Sequence, residues 1–86
     1  MHDKLYFLLG YLAKLGYVRF VSDNDIELSI ALPQNLNCDV EKDITLSLKT
    51  LNFEVVDIGE SKNYDYYFKI KNGDEIFNLF IIELTV

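Results

Sequence analysis

Residues 64–86 constrain the fold most. From Tyr64 to Ile70 apolar and polar side chains alternate, Asn72-Gly73 follows, and Asp74 to Val86 continues as a long apolar segment. Alternation marks a half-buried strand. An Asn-Gly pair between two such runs favours a type I′ turn, because both central residues accept positive φ and the turn's twist suits antiparallel strands. With Lys71 opposite Asp74, this predicts Phe68 facing Phe77, Tyr66 facing Leu79 and Tyr64 facing Ile81. One face of the ribbon is then apolar, and a slip of a single residue would send those side chains to the other side. The second face of the last segment is apolar as well: Ile76, Phe80, Ile82 and Leu84, interrupted by Asp74 and Asn78. A sheet with one side in water carries polar residues there, so this face calls for a cover, from the chain itself or from another molecule.

Upstream, Leu5, Leu8, Leu9, Leu12 and Leu15 follow three- and four-residue spacing, predicting a helix over about 4–15 with Asp3 as its cap and Gly16 as a left-handed terminator. Phe7 and Tyr11 widen its apolar stripe, either completing an ordinary core face or meeting a partner. Tyr17 to Ser22 and Ile26 to Leu32 form a hairpin across Asp23-Asn24-Asp25, pairing Phe20 with Leu28 and Val18 with Ile30, and Pro33 ends it. Asp39 caps a second helix over about 40–51, with Val40, Ile44, Leu48 and Leu51 on one face and Asn52 as the C′ residue. Phe53 to Ile58 is a strand, and the polar stretch 59–63 a loop. Leu15-Gly16-Tyr17 and Leu51-Asn52-Phe53 suggest a weak internal repeat. The expected fold is one α+β domain spanning 1–86, in the order α-β-β-α-β-β-β, with a predominantly antiparallel five-stranded sheet and two helices packed on one face.

Eight Lys plus Arg against fourteen Asp plus Glu give a formal net charge of −6. This repels phosphate backbones and anionic headgroups, so nucleic acid and membrane are not expected as partners, whereas a basic protein surface is the electrostatic complement. The single cysteine, Cys38, forms no internal disulfide, which fits a reducing cytoplasm. No apolar stretch approaches the roughly 20 residues that span a bilayer.

Few residues suggest chemistry. Asp23, Asp25 and Glu27 alternate like calcium-loop ligands, but Leu28 and Gln34 stand where that loop needs glycine and glutamate. Cys38 precedes a helix among Asp39, Glu41 and Asp43, whose negative charge opposes a thiolate, and no base is positioned beside it. Tyr64, Tyr66, Tyr67 and Phe68 would stack nucleobases on an open sheet, but the expected register puts three of them in the core. No metal, cofactor or catalytic site is expected. The two acidic groups, Asp23, Asp25 and Glu27 with Asp39, Glu41 and Asp43, form one outward patch if the first hairpin's turn lies near the second helix.

These features point to a non-catalytic, small acidic protein-binding module that covers a basic surface of its partner, in the manner of inhibitors, immunity proteins or phage anti-defence proteins. That comparison is one of size and charge, without a motif. Its expected contacts are the six carboxylates with Tyr11, Tyr17 or Tyr67 as aromatic anchors. The alternative is a homodimeric structural or regulatory protein, pairing through the apolar face or edge of the C-terminal strand at Phe80, Ile82 and Leu84.

Overall fold

The computed structural model describes residues 2–14, 19–33 and 39–84. The expectations for Gly16, for Tyr17, for the first repeat junction and for Cys38 lie outside these residues, as do the side chains of Asp23 and Leu84.

Helix α1 (Asp3–Lys14) buries Leu5, Leu8 and Leu12. His2, not Asp3, caps it: the Lys4 N–H donates to His2 Nδ1 at 3.1 Å and the Tyr6 N–H donates to the His2 carbonyl at 2.9 Å. Helix α2 (Val40–Thr50) buries Ile44 and Leu48. Asp39 caps it by accepting from the Lys42 N–H at 3.2 Å. Asn52 ends it at φ 64°, with Asn52 N–H on the Lys49 carbonyl and Phe53 N–H on the Leu48 carbonyl at 3.0 and 2.8 Å. That is a Schellman ending, and it drops Phe53 into the core beside Leu48.

The strands are β1 (Arg19–Asp23), β2 (Glu27–Pro33), β3 (Glu54–Ser61), β4 (Tyr64–Asn72) and β5 (Glu75–Leu84), in the spatial order β1-β2-β5-β4-β3. The expected predominantly antiparallel five-stranded sheet is corrected here. Its body is the four-stranded mixed sheet β2, β5, β4 and β3, in which β5 runs parallel to β2. β1 adds only a short ladder at the β2 edge, broken by a bulge. The physical reason is the α2 crossover. It carries the chain from β2 to the far edge at β3, and two successive hairpins then return it, so β5 arrives beside β2 in the same direction. The overall α+β class holds.

Both expected registers shift. The last hairpin pairs Asn72 with Glu75, Ile70 with Phe77, Phe68 with Leu79 and Tyr66 with Ile81. Its loop is Gly73-Asp74, with positive φ at Gly73 only, the combination of a type II′ turn rather than type I′. This slip is of two residues, so facing is preserved: Phe68, Ile70, Phe77, Leu79 and Ile81 are all at most 1% exposed on the same side. In the first hairpin Phe20 pairs with Ile30 rather than Leu28, because Asn24 closes a longer loop. Its N–H donates to the Glu27 carbonyl, and its Oδ1 accepts from the N–H groups of Ile26 and Glu27 at 2.9 Å. Residues 59–63 are not a loop either, since β3 runs to Ser61 and Lys62-Asn63 make the turn.

Leu5, Leu8 and Leu12 of α1 join Ile44 and Leu48 of α2, Leu28, Ile30 and Leu32 of β2 and the buried residues of β4 and β5 in one cluster. Both helices therefore cover the same face of the sheet. Phe7, expected beside that stripe, is 76% exposed, whereas Tyr11 packs against the core edge.

Candidate binding surface on the open face of the sheet

With both helices on one side, the opposite face is built from alternate residues of the same strands. The ladders place Ser29, Phe80, Tyr67 and Gly59 in one row across β2, β5, β4 and β3, and Glu27, Asn78, Lys69 and Asp57 in the next. Ala31 beside Ile82 continues the first row's apolar character. Phe80 is the centre. The Tyr67 ring stacks beside it at 5.1 Å and 26°, and the Tyr64 ring tilts against it at 4.9 Å and 35°.

Tyr64 was expected in the core, and a bulge moves it. Gly59 pairs with Tyr67 and Ser61 with Tyr64, so β4 spends one residue more than β3 over this interval, and the alternation inverts. Tyr64 thus reaches the open face, where the Ser29 hydroxyl donates to its Oη at 3.4 Å. Gly59 leaves its row empty beside Tyr67, whose ring lies 4.0 Å from where a side-chain carbon would begin. The Tyr67 hydroxyl donates to Asn78 Oδ1 at 2.5 Å, pinning the ring. Beneath this cluster Ser29 and Ala31 are buried, while Tyr64, Tyr67, Phe80 and Ile82 are half-buried. The aromatic rings themselves form part of the cover that the apolar second face of β5 requires.

The rim is charged. Lys69 has Asp57 as its cross-strand neighbour and Lys71 has Glu54. Burial pushes the Tyr67 hydroxyl above its ordinary value, and the charges of Asp57 and Glu27 push it in the same direction. Carboxylates and lysines thus alternate around the cluster, with Asp57 and Glu27 the charges that act on Tyr67.

Asp25 and Glu27 lie apart from Asp39 and Glu41, so these expected carboxylates do not form one patch. The Ile26 carbonyl accepts from the Asn78 N–H at 2.8 Å, so the turn at Asp25 lies beyond that end of β5. Asp39 instead lies near Tyr66, which pairs with Ile81, two strands across and roughly 10 Å further along at about 3.3 Å per residue. Glu27 lies on the open face in the row of Asn78, whereas Asp39 and Glu41 belong to a different acidic corner on the helix side, with Asp65 and Glu83. There the Glu83 N–H donates to Asp65 Oδ2 at 2.6 Å. Burial, then the hydrogen bond with Glu83 and the charges of Glu83, Asp65 and Asp39, raise the Tyr66 hydroxyl above its ordinary value. Asp43 has its carbonyl engaged by the Ser47 hydroxyl at 2.9 Å.

Asp57, Asp65, Glu83 and Tyr64 were not expected at any surface site. For Tyr64 the one available signal was Gly59, since a glycine inside a strand marks a bulge or a close approach by a neighbour. The edge-pairing form of self-association has no free edge on β5, which is bonded on one side to β2 and on the other to β4. Two shallow clefts flank α2 and β3: one of about 470 Å³ between Asp39, Lys42, Leu46, Lys49 and Ile58, and one of about 310 Å³ between Glu41, Ile58, Asp65 and Tyr66. Among the described residues no group of three or more histidine, cysteine or acidic residues is arranged to hold a metal, and no helix is long and apolar enough to cross a membrane.

No protein family, curated protein or solved structure matches the chain.

Proposed function

We propose that the protein is a non-catalytic binding module for another protein, and that its partner docks on the open face of the sheet over Tyr64, Tyr67, Phe80 and Ile82. The observation that carries this reading is the joined aromatic cluster, half-buried on the face that neither helix covers, with the carboxylates of Glu27 and Asp57 in the adjacent row. Rigid aromatic side chains with a polar tip are the residues that dominate protein interfaces. Glu27 and Asp57 at the rim, with a net charge of −6, favour a partner whose surface is basic around an apolar centre. The same charge opposes nucleic acid, even though aromatic rings on a sheet stack bases well.

The test is capture from the native host with wild-type protein, Tyr67→Ser and Asp57→Lys, followed by calorimetry with the purified partner. A protein that binds the wild type, is lost with Tyr67→Ser and binds more weakly with Asp57→Lys supports the reading. Retention of nucleic acid in place of protein, or a partner indifferent to both substitutions while circular dichroism is unchanged, refutes it.

A further inference from the structure

Among the described residues, nothing covers the outward face of α1. Tyr6 is 68% and Phe7 76% exposed, and Gly10, Ala13, Asp3 and Lys14 are exposed beside them. At about 100° per residue, Asp3, Gly10 and Lys14 share one line down the centre of that face, with Tyr6 and Phe7 flanking it on either side. A surface helix normally presents charged side chains outward. Here the charges stand only at the two ends, and an aromatic pair with a glycine lies between them.

Gly10 is the anomaly. A side-chain carbon added there would meet no atom of the described residues within 4 Å, so their packing does not require glycine. Its φ is not positive, and a mid-helix glycine costs roughly 0.5–1 kcal/mol relative to alanine. A glycine on an apolar helix face allows another backbone to approach closely.

We infer that α1 is a homodimer interface, in which α1 of a second copy packs antiparallel against it. In that arrangement Asp3 lies opposite the second copy's Lys14, and Phe7 opposite its Gly10. Both pairings have the same midpoint, between Leu8 and Leu9, so one two-fold axis satisfies both. The large side chain of each copy fills the gap at the other's glycine, the end charges are complementary, and the two helix dipoles are opposed. A parallel arrangement would set Asp3 against Asp3 and Lys14 against Lys14. A 12-residue helix is only about 18 Å long, so the contact falls short of the roughly 800 Å² per partner of a standard interface, and the dimer is reversible and concentration-dependent.

Sedimentation velocity from micromolar to millimolar protein tests this. The wild type is expected to pass from monomer to dimer, with Gly10→Glu and Phe7→Ser each weakening association at least tenfold. Gly10→Glu enters open space with a better helix former, so its melting temperature should not fall. Asp3→Lys and Lys14→Asp each place like charges at both ends of the dimer and weaken it alone. Mixed in equal amounts, the two variants should form a heterodimer with both ion pairs restored. Ile76→Lys, at an exposed position on the opposite face of the sheet, should leave this association unchanged. A wild type that stays monomeric throughout overturns the inference. So does association that survives Gly10→Glu or is lost with Ile76→Lys, and so do charge variants with no preference for each other.

Discussion

The helix-covered face and the open face of the sheet are made by the same strands, and they solve burial differently. On the covered face Phe68, Phe77, Leu79 and Ile81 meet the leucines of α1 and α2 and are at most 1% exposed. On the open face Phe80 has Tyr64 and Tyr67 beside it, so one layer of rings substitutes for a layer of helices and burial stops half-way. Full enclosure yields stability. Partial enclosure leaves apolar area that water still touches, so covering it would release free energy that the folded chain has not yet gained.

The largest effect that would break this comparison is a pair of truncations. Phe68→Ala should cost about 3–5 kcal/mol, as for a fully buried phenylalanine, and Phe80→Ala only about 1–2 kcal/mol, because its ring is partly solvated already. Urea denaturation measures both, and equal losses would mean that the open face is core. Asp39→Ala should cost about 1 kcal/mol by removing the acceptor for the Lys42 N–H, a loss confined to the helix layer.

A smaller effect concerns the junction of α1 with the β4–β5 turn. Glu75 makes an ion pair with His2 and lies 2.9 Å from the Lys4 ammonium, and the Lys4 Nζ also donates to the Asn72 carbonyl at 3.3 Å. The hydrogen bond from Lys4, with the positive charges of His2 and Lys4, holds the Glu75 carboxyl below its ordinary value of 4.5 against the opposing effect of burial. Its stabilising contribution is therefore present above that value and lost as pH falls through the depressed one. The urea midpoint of the wild type should drop more steeply on acidification than that of Glu75→Gln, and parallel curves would remove the junction from the account.

The smallest effect compares one tyrosine from each side. Tyr66 by the helix layer and Tyr67 on the open face both ionise above the ordinary value of 10.0, with burial the leading cause in each. An alkaline phenolate titration should lose a late step with Tyr66→Phe and another with Tyr67→Phe. The stability each hydroxyl adds is complete below the ordinary value and lost as pH rises through the raised one.

Much of this was legible locally. The caps of α2, Asp39 and Asn52, were expected because the physics is contained within one helical turn. The face shared by Phe68 and Phe77 survived a wrong register because side chains alternate with period two, and the error was two residues. Tyr64 was misplaced because its direction depends on a bulge measured against β3, a relation between strands that alternation within β4 cannot express. Whether the acidic groups join was open for a similar reason, since proximity between the first hairpin's turn and α2 depends on which strand lies between them.

By itself, then, the order of residues determined the two helices among the described residues, both ends of α2, and the shared apolar face of Phe68 and Phe77, because these depend on contacts a few positions apart. The tertiary structure alone decided that β5 sits at the centre parallel to β2, that Tyr64 joins Tyr67 and Phe80 on the uncovered side, and that Phe7 looks outward. Each of these depends on how distant segments compete for the same interior, a balance of burial over the whole chain that no short window of sequence contains.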